Sequence, residues 1–283
     1  MRIDLHTHSN VSDGTETPAE LITAAAAAGL DMVALTDHDQ TSGWDQARVT
    51  AQELGIGFIP GMEITCQDSH GISVHLLSYL HDPSYQPLLD ELAVSLNSRI
   101  VRAQRIVERL AEDYPISWEL VTEHCQPGAT VGRPHIADAL VTAGVVAHRN
   151  EAFANILSSR SRYYVSHPAI NPAAAVRLVR EAGGVPVFAH PKAALRGRVV
   201  PESTVHEMIE AGLGGVEVYH RDNSAEGKEQ LLALASEHDL IVTGSSDYHG
   251  TGKLNRLGEN LTEPAMLERI LAQGTGTSAL LQS

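Results

Sequence analysis

The sequence is short of cysteine, of basic residues and of long apolar runs, and each shortage closes off a class of protein. Its two cysteines, Cys66 and Cys125, cannot build a disulfide framework or a cysteine-based zinc site. Lysine and arginine number 20 against 35 aspartates and glutamates, a formal net charge of −15. Such an acidic body repels duplex DNA and anionic membranes unless a local basic patch compensates, and part of its charge could neutralise bound divalent cations. No apolar run approaches the roughly 18 residues that span a bilayer, so no membrane partner is expected. Met1 to His6 leads straight into a strand-like segment; no signal peptide is expected there, and a cytoplasmic protein is the simplest reading. There is no internal repeat and no low-complexity linker. No Gly-x-Gly-x-x-Gly follows the first strand-like run, which argues against a dinucleotide-binding sheet. No Gly-x-Ser-x-Gly elbow offers a serine nucleophile.

What remains is a globular composition, 43% hydrophobic and 19% charged, on 283 residues, enough for one large barrel-type domain or two smaller ones. Short apolar, β-branched runs predict strands at Ile3 to Leu5, Met32 to Thr36, Phe58 to Thr65, Ser73 to Tyr79, Val185 to Ala189, Gly215 to Tyr219 and Leu240 to Thr243. Between them lie helical patterns at Pro18 to Ala28, Ser42 to Leu54, Pro172 to Ala182, Pro201 to Ala211, Ala225 to His238 and Pro264 to Ala272. The alternation predicts an α/β fold with a mostly parallel sheet, and seven strands favour a closed barrel over an open one. The rhythm breaks between residues 84 and 165. There Leu88, Leu92, Leu96, Ile100, Val107 and Leu110 mark a long helix, followed by shorter ones around Trp118 to His124, Pro134 to Ala143 and Glu151 to Leu157. The expected organisation is a barrel of residues 1–83 and 166–283 with a helical insertion, 84–165, covering the active site.

Histidine is abundant, with 15 residues, and its placement carries the chemistry. His6 and His8 follow the first strand, and Asp37 and His38 the second. Glu63 lies late in the third strand and His75 inside the fourth. His190 ends the fifth, Glu217 lies in the sixth, and Asp247 and His249 follow the seventh. In a barrel those strand ends converge on one mouth. A single His-x-His is often a surface pair, a lone Thr-Asp-His is as often a turn, and a lone glutamate may be any paired buried carboxylate. Their joint recurrence at the strand ends points to metal. Imidazole with carboxylate suits Zn²⁺, Mn²⁺ or Fe²⁺, and the donors exceed what one ion needs, so two or three ions are expected. His70, His81, His124, His148, His167, His206 and His238 fit no such pattern and read as surface or structural.

At this point the sequence resembles the PHP (polymerase and histidinol phosphatase) family. The resemblance is carried by Asp4-Leu5-His6-Thr7-His8-Ser9 with Ser12-Asp13-Gly14, by Ala34-Leu35-Thr36-Asp37-His38-Asp39, by Pro60-Gly61-Met62-Glu63-Ile64, by His75, by Ala189-His190-Pro191 and by Ser246-Asp247-Tyr248-His249. It implies a distorted seven-stranded (β/α)7 TIM-like barrel and a trinuclear site. His6, His8, Glu63 and Asp247 would hold one ion, and Glu63, His75 and His190 a second, with Glu63 bridging. Asp13, His38 and His249 would hold a third. Mg²⁺ is also compatible with the family. Asp37 and Glu217 become partners that orient histidines.

The segment Val131-Gly132-Arg133-Pro134-His135-Ile136-Ala137 resembles the branch acting on nucleotide-like phosphates. The implied activity is hydrolysis of a small nucleotide phosphate, a 3′,5′-bisphosphonucleotide or a nucleoside monophosphate such as AMP, by a metal-bridging hydroxide. The alternative is a phosphodiesterase acting on a cyclic ribose phosphate or on the 5′ ends of short RNA. Asp247 is expected to take the water's proton, and His249 or His38 to assist the leaving group. Phosphate recognition falls to Arg133, with His135, Arg160, Arg162, Lys192 and His220 as further candidates. Arg99, Arg102, Arg105 and Arg109 form a helical strip that could hold an RNA tail. The favoured reading is a solvated face paired with residues such as Glu108 and Glu112. A faint helix-turn-helix look around Cys125 to Ala143 is opposed by the scarcity of basic residues there.

Overall fold

The fold is described from a computed structural model that covers residues 1–281 apart from 124, 126–130, 159, 167, 195 and 196. Seven strands, β1 Ile3–Asp4, β2 Met32–Leu35, β3 Gly57–Gln67, β4 Ser73–Tyr79, β5 Val185–Phe188, β6 Gly215–Tyr219 and β7 Ile241–Gly244, lie side by side in chain order. Helices α1 Pro18–Ala27, α2 Trp44–Leu54, α7 Pro172–Glu181, α8 Glu202–Glu210, α9 Ala225–Glu237 and α10 Pro264–Gln273 surround them. Between β1 and β7 the gap is stitched where Thr7 bridges Tyr248 and the His8 N–H donates to the Tyr248 carbonyl at 2.8 Å. The result is a nearly closed, distorted barrel.

One strand runs against the rest. β4 pairs antiparallel with both β3 and β5, whereas the other neighbours are parallel. The chain between β3 and β4 is too short for a crossover helix, so a hairpin is the available connection. Asp68 shapes it by accepting from the N–H groups of His70 and Ile72, and Gly71 takes the left-handed conformation at φ +71°. The reversal has a consequence for the site. Residues at the start of β4 lie beside residues late in β3, with Thr65 opposite His75. His75 therefore reaches the mouth from the beginning of its strand.

Alternation along the strands then aims the polar groups. On β3, Met62, Ile64 and Cys66 join an outer core with Val176, Val179 and Met208, while Ile59 packs with Ile3, Leu5, Val185 and Val187. Glu63 shares the face of Ile59. On β6, Val216 and Val218 face the outer core, leaving Glu217 on the opposite face. A register shift between Glu217 and Tyr219 ends the regular β6–β7 pairing at the site.

Helices α3 Gln86–Leu110, α4 Trp118–Thr122, α5 Arg133–Thr142 and α6 Arg149–Ala154 fill the stretch where the strand rhythm breaks. α3 belongs to two cores. Its Leu88 and Leu92 pack with Met62 and Val176, whereas Ala103, Ile106, Val107 and Leu110 pack with Val121, Ile136, Leu140 and Tyr163. Three of the four arginines are tied down rather than solvated, while Arg105 is exposed. Arg102 donates to the Val165 carbonyl at 2.8 Å, Arg109 to that of Tyr164 at 2.7 Å, and Arg99 pairs with Asp39 at 2.6 Å. These three fasten the returning segment and the β2 loop to α3, Arg102 and Arg109 through backbone carbonyls that have no ladder to join. No described helix is long and apolar enough to cross a membrane.

Candidate metal centre

His6 and His8 point into the mouth because the residue between them is tied down on the other side. The Thr7 hydroxyl donates to the Ala34 carbonyl at 2.6 Å, and Thr36 Oγ1 donates to the Thr7 carbonyl at 3.1 Å. His6 Nδ1 lies 2.9 Å from Glu217 Oε1, which fixes the ring and leaves Nε2 for the cavity. Glu217 also accepts from the His190 N–H at 2.8 Å and from the Ser245 hydroxyl. Burial opposes its charge, but His6 holds its carboxyl down at about 2. Asp37 does the equivalent work for the first loop. It accepts from the Ser9 N–H and from the hydroxyls of Ser9 and Ser12, fixing the turn that presents Asp13. Gly14 is required in that turn, since a Cβ would lie 2.3 Å from the His8 carbonyl oxygen.

Glu63 is the centre of the cluster. Its Oε1 lies 2.8 Å from His75 Nδ1 and 3.2 Å from His190 Nε2. Its Oε2 lies 3.1 Å from His8 Nε2 and 3.3 Å from both His6 Nε2 and His38 Nδ1. Burial disfavours the charged form, yet His75, His38 and His6 hold its carboxyl well below the ordinary range. Asp247 Oδ1 lies 3.4 Å from His8 Nε2 and 3.5 Å from His6 Nε2. At the other side, Asp13 Oδ1 is 3.1 Å from His249 Nε2 and its Oδ2 is 3.8 Å from His38 Nε2. Nδ1 of His249 donates to the Asp247 carbonyl at 2.9 Å, so its Nε2 carries the lone pair. That nitrogen is buried and makes no hydrogen bond. Donor atoms gather within 4.8 Å of one another in four sets: His8, Asp13, His38 and His249; His6, Glu63 and His190; His6, His8 and Asp247; His38, Glu63 and His75. His190 and Asp247 both take left-handed backbone, at φ 33° and 53°, a conformation that non-glycine residues adopt at some energetic expense and mostly at functional sites.

The cluster thus joins all nine residues expected as ligands, from six strand ends and the loop carrying Asp13. Its donor set of imidazoles and carboxylates, with the lone pair of His249 Nε2 facing Asp13 Oδ1, fits divalent cations. A PHP domain pattern matches residues 4–181. The chain belongs to the PHP family. A 3′,5′-nucleoside bisphosphate phosphatase of Chromobacterium violaceum is 32% identical over 255 residues, 90% of this chain and 89% of that one. A phosphoribosyl 1,2-cyclic phosphate 1,2-diphosphodiesterase of Eggerthella lenta is 29% identical over 260 residues, 90% of this chain and 97% of that one. A solved structure from Bifidobacterium adolescentis, designated a metal-dependent phosphoesterase, is 44% identical, superposes with a TM-score of 0.94 and is matched over 96% of both chains. The PHP protein described here is an enzyme acting on phosphate esters.

The residues expected to hold substrate are placed unevenly. His220 is fully buried, accepts from the Asp222 N–H through Nδ1 at 3.1 Å, and brings Nε2 to 3.6 Å from Asp247 Oδ2. His135 is buried with Nδ1 accepting the Gly132 N–H at 3.1 Å, so it caps α5 and its Nε2 carries the hydrogen. Arg133 is partly buried, donates to the Leu157 carbonyl at 3.1 Å and lies 5.6 Å over the Phe153 ring. Lys192 packs its stem against Gly227. Arg160 is exposed, and Arg162 is an exposed partner of Asp113 and Tyr163. The structure does not bring these two to the cluster. Of the histidines read as surface or structural, His81 is a core residue bonded to Ser78 and packed edge-on against Trp44, and His148 caps α6; His124 and His167 lie outside the described residues. Arg149, which sequence reasoning passed over, donates to the Asp13 carbonyl at 3.0 Å and pairs with Asp138, joining α5 and α6 to the first loop. Nothing in its spacing signals that contact.

Proposed function

We propose that this PHP enzyme is a phosphomonoesterase acting on a small nucleotide phosphate, a 3′,5′-bisphosphonucleotide or a nucleoside monophosphate such as AMP. The observation that carries the hydrolytic reading is Glu63, whose two oxygens lie within 3.3 Å of five imidazole nitrogens. The nucleotide substrate is supported by the likeness to the Chromobacterium violaceum phosphatase. Two or three divalent ions, Mn²⁺, Zn²⁺ or Fe²⁺ with Mg²⁺ compatible, would be held by His6, His8, Asp13, His38, Glu63, His75, His190, Asp247 and His249. Bound there, they would supply a water made acidic to a pKa of ~7 and charge to offset the phosphoryl oxygens. The chain does the rest. Asp247 receives the proton of the attacking water; His249, whose Nδ1–H is engaged by the Asp247 carbonyl, has no proton for the leaving oxygen, and that assistance falls to His38. His135 offers its Nε2–H to the phosphate, and Arg133, which donates through Nη1 to the Leu157 carbonyl, keeps its other guanidinium N–H groups for it. Residues 84–165 act as the cover of the mouth, tied to it through Arg99 and Arg149.

The second reading, a phosphodiesterase on a cyclic ribose phosphate, is favoured by the Eggerthella lenta relative. A screen that reads both released phosphate and the organic products decides between them, run over bisphosphonucleotides, AMP, cyclic ribose phosphates and short 5′-phosphorylated RNA with metal content measured on the same preparation. The expected result is phosphate from mononucleotides, lost on chelation and regained with Mn²⁺ or Zn²⁺. Cleavage confined to diesters would move the assignment to the second reading, and a metal-loaded protein inert towards every ester would end both.

A further inference from the structure

The loop after His249 carries a cation that the mechanism above does not use. Lys253 places Nζ 3.0 Å from Oδ2 of Asp247. That carboxylate divides its oxygens between two neighbourhoods. Oδ1 faces the ring nitrogens of His6, His8 and His249 at 3.4 to 3.5 Å, while Oδ2 faces Lys253 and, at 3.6 Å, His220. An ion held on Oδ1 would leave the ammonium where it is. The loop is built to deliver it there. Gly250 takes φ +64°, and a Cβ on it would lie 2.2 Å from Thr15 Oγ1; a Cβ on Gly252 would lie 2.3 Å from Nη1 of Arg149. The Gly252 N–H turns back to the His249 carbonyl at 3.2 Å. Lysine 253 thus stands where the first loop, the cluster and α6 meet, with its side chain 31% exposed. An ammonium has three donors, and Asp247 occupies one.

We propose that Lys253 is a phosphate-binding residue of the metal centre: anchored on Oδ2 of Asp247, its ammonium donates to a non-bridging oxygen of the substrate's phosphoryl group. This deepens the reading of the site as a phosphoesterase and rests on it. The substrate is dianionic and the chain carries a net charge of −15, so a fixed cation at the mouth offsets repulsion that the carboxylates would otherwise exert. Lysine suits the place because it binds phosphate as a point charge and needs no planar pairing. The rival role is that of a prop which merely neutralises Asp247.

The test uses the metal-loaded protein. Wild type, Lys253→Met and Lys253→Arg are titrated with inorganic phosphate by calorimetry, with metal content and turnover measured on each. In Lys253→Met, phosphate affinity is expected to fall about tenfold or more and kcat/KM about 10²-fold, at wild-type metal content, with Lys253→Arg recovering part of both. Phosphate affinity within about twofold of wild type would overturn the proposal. So would a loss of metal that accounts for the loss of phosphate, since that is the signature of a prop. A wild-type protein that binds phosphate yet hydrolyses no ester would end the phosphoesterase reading alone, and the variants' phosphate affinities would still decide on Lys253.

Discussion

A Glu63→Gln variant is expected to keep the fold, lose most of its bound metal and hydrolyse phosphate esters about 10³-fold more slowly or worse, the upper end of what one electrostatic contact supplies in an active site. The substitution conserves volume, so the packing of β3 is untouched. What it removes is the charge on which five imidazoles converge, on two oxygens that face different histidines: Oε1 towards His75 and His190, Oε2 towards His6, His8 and His38. An amide offers one acceptor oxygen and one donor nitrogen, so one of those two groups would meet N–H instead of O⁻. A cation shared between them loses a ligand on that side, and the water it would acidify goes with it. Metal analysis and phosphate release on the same preparation check the expectation. Full metal content with a rate within about tenfold of wild type would show that Glu63 is not the shared ligand. Glu217→Gln makes the informative contrast. Glu217 touches His6 Nδ1, the His190 N–H and the Ser245 hydroxyl, and among the described residues it pairs with no imidazole nitrogen but that of His6, so a smaller loss of about 10- to 100-fold is expected, as for residues that orient a ligand.

The difference between those two glutamates could not be read from spacing, since both sit on inward faces of strands. Strand ends were legible because apolar, β-branched runs stop at polar residues, and that placed His6, His38, His190 and Asp247 at one mouth without coordinates. Asp13 was legible through the family resemblance alone; it sits in a loop whose shape depends on Asp37 accepting from Ser9 and Ser12, contacts that follow no sequence period. His75 was found as a residue but not as a position. Alternation says which face a side chain takes and nothing of strand direction, and it is the reversal of β4 that brings His75 beside Glu63. The arginines of α3 misled for a related reason. Their spacing is that of a solvated face, but the segment they fasten, around Tyr164 and Val165, returns from far along the chain. Lys253 was overlooked because a lysine in a glycine-rich loop has no distinguishing pattern until the loop folds back on Asp247.

Metal uptake should be strongly pH-dependent at one end of the cluster and nearly independent at the other. Burial works against a charged His8, but its hydrogen bonds to Asp247 and Glu63 prevail and raise its pKa from 6.5 to about 9. His6 is raised in the same sense, its burial outweighed by Glu63, Glu217 and Asp247. Their Nε2 atoms lie 3.0 Å apart, too close for both to carry hydrogen, so the pair counts as one excess proton in the metal-free protein. Burial instead pushes His249 down to about 4 and His38 well below its ordinary value, leaving them neutral at pH 7. An ion entering among His6, His8 and Asp247 must displace that proton; one entering among Asp13, His38 and His249 displaces none. A raised histidine pKa stabilises the folded metal-free state below about 6.5, and that contribution is lost as pH climbs through about 9. Over that window the apoprotein should become less stable while its affinity for the first kind of ion rises by about tenfold per pH unit, one proton per ion. Calorimetric titration of the apoprotein with Mn²⁺ or Zn²⁺, in two buffers of different ionisation enthalpy, counts the protons directly. Affinities flat from pH 6.5 to 9 at every site, with no proton released, would mean that His6 and His8 are neutral before metal arrives, and that the carboxylates around them hold the empty cluster together without a shared proton.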